Sequence, residues 1–197
     1  MNRIAVIFSS ELAKISDQGF RKAVVEIIND CPDYIAEFPS STTGKYHPVD
    51  EINENGMIYH IKRCLVFAEE TARMREHPKY EADILLAGCI LHDIFKGGYT
   101  AGDYTDPMHP VYIYKKIMSY IEKSEDNHAN MMLEKLAFVC LLHEGQWTIK
   151  QSLDVRHRKM RQDEIKLCES MHMVDFYASR RSVYEVMQNM THEVVDG

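Results

Sequence analysis

The chain has 197 residues, a formal net charge of -7, 45% hydrophobic and 27% charged residues, proportions that fit one globular domain with a sizeable core and exclude a disordered chain. The acidic balance disfavours a broad surface for duplex DNA. The brief apolar run in MNRIAVIFSSELAKISDQGF is too short for a signal peptide or a membrane span, so a cytoplasmic protein with no membrane partner is expected.

Apolar residues recur at spacings of three and four through almost every long segment, which predicts an all-α, single-domain helical bundle over residues 1–197. Helices are expected over 3–15 and 17–30, the second capped by Ser16 or Asp17. The stretch PDYIAEFPSSTTGKYHPVD is rich in turn-forming residues and reads as a connector. A helix from about Gly56 to Glu76 carries His60, Cys64, Ala68 and Thr71 on one face. The next covers about 79–94 and stops at Gly97 and Gly98. Further helices fit 109–123, 128–143 and 161–190, with GGYTAGDYTDPMHP and HEGQWTIKQSLDVRHRK as loops.

The five cysteines, Cys31, Cys64, Cys89, Cys140 and Cys168, form no CxxC pair. They fall mostly on apolar helical faces, where a free thiol behaves as a small hydrophobe. Buried reduced thiols are expected, with neither a disulfide nor a cysteine zinc site.

The ten histidines are more informative by placement than by number. His60 lies near the start of one helix, and His92 with Asp93 at the end of the next. His109 begins a third helix, His143 ends a fourth, and Asp175 sits inside the last. Several of them end apolar runs, as in LLAGCILHD and FVCLLHEG, and polar side chains facing a core must be paired or bind metal. Imidazole and carboxylate suit iron, manganese, cobalt or zinc, and a bound ion lowers the pKa of its water toward neutrality while polarising a phosphoryl oxygen.

The ordered set His60, His92-Asp93, Asp175 resembles the HD-domain superfamily of metal-dependent phosphohydrolases, all-helical proteins named for that doublet. His109 and His143 resemble the extra ligands of members that hold two metals. The resemblance implies that His60, His92, Asp93 and Asp175 bind one divalent ion, and Asp93, His109 and His143 a second, drawn from Fe, Mn, Co, Zn or Mg. KYHPVDEINENGMIYHIKRC is similar to the segment that leads into the family's first ligand, LLHEGQW to that of the fourth histidine, and MVDFYASRR to the last aspartate helix with its trailing arginine. The likeness covers about residues 20–190, leaving 1–19 as a helical extension. Two departures stand out: one glycine of the family's pair before His60 is missing, and His109 lies only sixteen positions after Asp93.

Each position also has an ordinary structural use. His143 suits a helix C-terminus, and Lys96 would be favourable there too. Set three positions after the doublet, Lys96 is instead a candidate to neutralise phosphate charge during transfer, and with Asp93 it is expected to carry catalysis. One of Arg180 and Arg181 is a candidate phosphate ligand by paired hydrogen bonds, the other a surface charge. His47, beside Pro48, is a turn residue or a substrate group; Trp147 either stacks on a base or caps the core. His172 shares a helical face with Asp175.

The function expected from this pattern is hydrolysis of a nucleotide or related phosphoester through a metal-activated hydroxide, with a small phosphorylated substrate as partner; the sequence is equally compatible with a homo-oligomer. The alternatives are a noncatalytic helical module that binds a nucleotide or a partner, and a 3′ to 5′ exonuclease, to which the His47 segment bears a likeness.

Overall fold

A computed structural model describes residues 1–154, 158–183 and 185, and among these it is all-helical. Two short helices, α1 (Arg3–Ile7) and α2 (Ser9–Leu12), lead into α3 (Gln18–Asn29), whose first turn is capped by the Asp17 carboxylate accepting from the Phe20 amide. The connector holds two 3-10 turns, Tyr34–Glu37 and Val49–Glu51. Beyond it the chain forms α4 (Gly56–Met74), α5 (Lys79–Leu91), α6 (His109–Ile121), α7 (Asn127–Leu141), the short α8 (Lys150–Asp154) and α9 (Gln162–Ala178).

Two expected helices are interrupted. The helix predicted over 3–15 breaks at Phe8, which is fully buried with Ile4 and Ile15; turning the chain there lets all three reach the core. The helix predicted over 161–190 ends at Ala178, and the backbone becomes helical again at 181–183; residues 184 and 186–190 of that expectation lie outside the described residues, as do 155–157 of the expected loop. The rest of that loop is not wholly irregular, since it contains a 3-10 turn at Gly145–Trp147 and α8.

α5 is the axis of the molecule. Its ILLAGCIL run is buried on every side, as an all-round apolar helix must be, and it packs between α4, α7 and α9. Gly88 permits that close approach: a Cβ there would stand 2.9 Å from Val139 Cγ1 and 3.4 Å from Met171 Sδ. Because α5 is central, the residues just past its last turn are delivered to the interior, and these residues are His92 and Asp93.

Candidate metal centre

Four histidine side chains and two aspartates converge at the C-terminal end of α5. α4 supplies His60, the end of α5 supplies His92 and Asp93, α6 opens with His109, the chain just past α7 carries His143, and α9 carries Asp175. The four rings and Asp93 are buried. The loop 97–108 is folded back so that α6 starts beside α5: the Asp106 amide donates to the Lys96 carbonyl at 2.7 Å, and the His109 amide to the Asp106 carbonyl at 3.0 Å. Tyr34 clamps the other flank, its hydroxyl accepting from the Gly97 amide and donating to the Gly98 carbonyl.

Ring orientation is set from outside. His92 Nδ1 donates to the Cys89 carbonyl at 3.0 Å, His109 Nδ1 to the Asp106 carbonyl at 2.7 Å, and His143 Nδ1 to the Cys140 carbonyl at 2.8 Å. Since a carbonyl can only accept, each Nδ1 carries the proton, and each Nε2 presents a lone pair inward when the ring is neutral. His60 Nδ1 faces the buried Glu51 carboxylate at 3.4 Å.

The inward atoms meet in two groups. His60 Nε2 stands 3.4 Å from His92 Nε2, 3.0 Å from Asp175 Oδ1 and 3.4 Å from Cys64 Sγ. His109 Nε2 stands 3.4 Å from His143 Nε2 and 2.9 Å from Asp93 Oδ1. Asp93 joins the groups, since its Oδ2 lies 3.4 Å from His92 Nε2 and pairs with Lys96 Nζ. Where both rings of a pair are neutral, lone pairs face each other, and a cation between them or a proton on one ring relieves the repulsion. Four-coordinate zinc, with Zn–N about 2.0–2.1 Å, spaces its nitrogens about 3.4 Å apart, which is the separation in both histidine pairs. Asp93 Oδ1 is moreover buried without a hydrogen bond of good geometry. These groups can therefore hold metal ions, and the donors fall into compact sets, among them His60, Cys64, His92 and Asp175, and His92, Asp93 and His143.

The electrostatics of the cluster agree. Burial opposes charge on Asp93 and Asp175, yet Lys96 and His92 hold the first, and His60 and His92 the second, well below the usual carboxylate range. Burial likewise opposes the His143 proton, but Asp93 raises its pKa to about 9. His60 is also raised well above the ordinary value, with burial outweighed by Cys64, Asp175 and Glu51, whereas burial lowers His92. Protons on His60 and His143 stand in the places that a cation would take, and a bound metal would displace them.

Above the cluster a pocket of about 190 Å³ is lined by Asp93, Lys96, His109, His143, Asp175 and Arg180, among others. Arg180 has its guanidinium 3.8 Å over the Phe176 ring and 5.1 Å from that of Tyr46, with a buried Nε that has no hydrogen-bond partner among the described residues. Arg181 instead donates to Glu185 and is 54% exposed on its side chain. Trp147 is 53% exposed, parallel to Phe176 at 6.0 Å, and borders a second cavity of about 830 Å³ with Tyr46, Phe176, Tyr177 and Arg180. It lies at the mouth of the site and caps no core. His47 is held by Glu51 at 2.8 Å and by Ser40 at 3.0 Å, with its ring 6.0 Å from that of His60. His172 donates from Nδ1 to the His143 carbonyl at 2.9 Å.

Sequence reasoning missed three participants. Glu51 sits in the connector and is fully buried, its carboxylate shared by Arg63, His47 and Ser40 and facing His60; the spacing His47 to Glu51, one turn apart, was the available signal. Together these groups hold the Glu51 carboxyl near 2 against the cost of burial. Cys64, expected only as a packing thiol, lies one helical turn after His60 and turns its sulfur to the cluster. Glu144, beside His143, lines the pocket with a buried, unpartnered Oε2. Compared with protein-family models, curated proteins and solved structures, the chain matches none.

Proposed function

We propose that this chain is a metal-dependent phosphohydrolase of the HD type, acting on a nucleotide or related phosphoester. The observation that carries the reading is the shared carboxylate: Asp93 places one oxygen against His109 and His143 and the other against His92 and Lys96. His60, His92 and Asp175 would hold one divalent ion, His109 and His143 a second, with Asp93 between them. Bound there, such ions supply Lewis acidity and bring a water's pKa toward neutrality.

The chain's own residues account for the rest. Lys96 stays charged despite burial because Asp93 and Asp175 raise its pKa, so its ammonium meets a phosphate oxygen without waiting for a proton. Arg180 is packed over the Phe176 ring with Tyr46 nearby and lines the same pocket as Lys96, where its guanidinium would meet a second oxygen. The two residues form a strip on which phosphate oxygens would find two cationic side chains. Trp147, half exposed, offers a flat face beyond that strip, suited to a planar base.

The test is a panel of phosphomonoesters, phosphodiesters, nucleotides and a labelled oligonucleotide, assayed with several divalent ions and with Asp93→Ala as the blank. Turnover that requires metal and vanishes in the blank supports the reading. Tight nucleotide binding with no turnover under any ion would instead identify a noncatalytic module, and oligonucleotide cleavage alone an exonuclease.

A further inference from the structure

We propose that Cys64 is a thiolate ligand of the first metal ion, so that the two sites differ in hardness: one soft, built from His60, His92, Asp175 and Cys64 beside the shared Asp93, and one of nitrogen and oxygen donors only. The proposal rests on the reading of the cluster as a metal centre, and adds a donor that the histidine-aspartate pattern does not contain.

Geometry and donor bookkeeping carry it. Cys64 is fully buried, and its sulfur is 3.4 Å from His60 Nε2. One donor atom from each of His60, Cys64, His92 and Asp175 lies within 4.8 Å of all the others. For tetrahedral zinc with Zn–S about 2.3 Å and Zn–N about 2.05 Å, sulfur and nitrogen stand about 3.6 Å apart and two nitrogens about 3.4 Å; the structure has 3.4 Å for each pair. As a thiol, Cys64 would offer one weak S–H to the His60 ring, whose Nε2 already faces Asp175 Oδ1 at 3.0 Å and His92 Nε2 at 3.4 Å. One cation satisfies all four atoms at once.

A merely apolar role is the alternative, and it explains the burial of Cys64 but not the direction of its sulfur. Coordination is a simple exchange: the metal–sulfur bond forms, the S–H bond breaks, and the proton leaves to water with no change in oxidation state. Thiolate favours zinc, cobalt and other borderline or soft ions over magnesium, so the first site should select such an ion while the second accepts manganese as well.

Cobalt(II) is the probe, added to the chelator-treated full chain. Visible ligand-field bands report cobalt bound at nitrogen and oxygen donors, whereas a near-ultraviolet sulfur-to-cobalt charge-transfer band requires a thiolate. The expected result is both signals in the native chain, with the near-ultraviolet band absent in Cys64→Ser and retained in Cys89→Ser, whose sulfur is outside the donor group. Zinc affinity at the first site should fall by roughly tenfold or more in Cys64→Ser. Visible bands without the charge-transfer band in the native chain would overturn the thiolate while leaving the metal centre standing. No cobalt spectrum at all would overturn both. The native spectrum decides the matter even if Cys64→Ser fails to fold.

Discussion

His109 Nε2 lies 2.9 Å from Asp93 Oδ1, although sixteen positions of loop and turn separate the two residues. Nothing in a hydrogen-bonding scheme among neutral rings explains the contact, because the His109 proton is already committed to the Asp106 carbonyl through Nδ1. The loop is held in that fold by backbone bonds from Asp106 to Lys96 and from Gly102 to Gly97. A lone pair directed at a carboxylate oxygen suits a cation between them, and a site of that kind would tie stability, pH response and metal content to one another.

A protonated His143 sets a positive charge 3.5 Å from Asp93 Oδ1. Its folded value, about 9, is above the ordinary 6.5: burial opposes the charge and Asp93 outweighs it. The resulting stabilisation is complete below about pH 6.5 and is lost as pH rises through about 9. Chelated protein should therefore melt at progressively lower temperature from pH 6.5 to 9, while metal-loaded protein, from which that proton is displaced, should show a flatter profile. Differential scanning fluorimetry across that range, with and without chelator, measures both curves; equal slopes would contradict the assignment.

Gly145 fixes the position of His143. Its φ is +58°, and a Cβ there would stand 2.5 Å from the His172 ring, the ring that holds the His143 carbonyl. Gly145→Ala should cost about 2 kcal/mol, since a left-handed conformation costs an alanine about 1–2 kcal/mol before any displacement of His172. In a chain of this size that is about 4–8 °C in melting temperature. Metal affinity should fall with it, because His143 moves; a drop in stability with unchanged metal binding would separate the loop from the site.

Arg180 and Arg181 are neighbours in sequence with opposite surroundings. Arg180 is packed over Phe176 and lines the pocket, whereas Arg181 pairs with Glu185 at the surface. On a phosphorylated substrate, Arg180→Ala should lower kcat/KM by about 10- to 100-fold, the worth of a charged hydrogen bond, and Arg181→Ala should leave it within about twofold. Steady-state kinetics on the two variants distinguishes them; equal losses would remove Arg180 from the phosphate strip.

The fold was legible where one physical signal dominates. The all-apolar run ILLAGCIL can only be a buried helix, and a helix so placed carries His92-Asp93 inward, so both the bundle and the meeting of histidines with aspartates could be anticipated. Asp17 could be recognised as a cap because a short carboxylate before an amphipathic run has one obvious use. Less legible were features created by tertiary contact. The break at Phe8 results from burial of an aromatic side chain that local propensity would keep in a helix. Glu51 enters the site only because Gly56 lets the start of α4 press on it: a Cβ at Gly56 would stand 2.1 Å from the Glu51 carbonyl oxygen. Cys64 was on the correct helical face, one turn from His60, but a single cysteine on an apolar face carries no mark that separates a ligand from a packing group.

The most direct test of the metal centre is the metal content of the purified full chain, by inductively coupled plasma mass spectrometry after loading with zinc and removal of excess ion, beside Asp93→Ala under the same conditions. Two equivalents per native chain, falling sharply in Asp93→Ala while its helical circular dichroism persists, is the result the shared carboxylate predicts. No retained metal in the native chain, or equal retention by a folded Asp93→Ala, would contradict it.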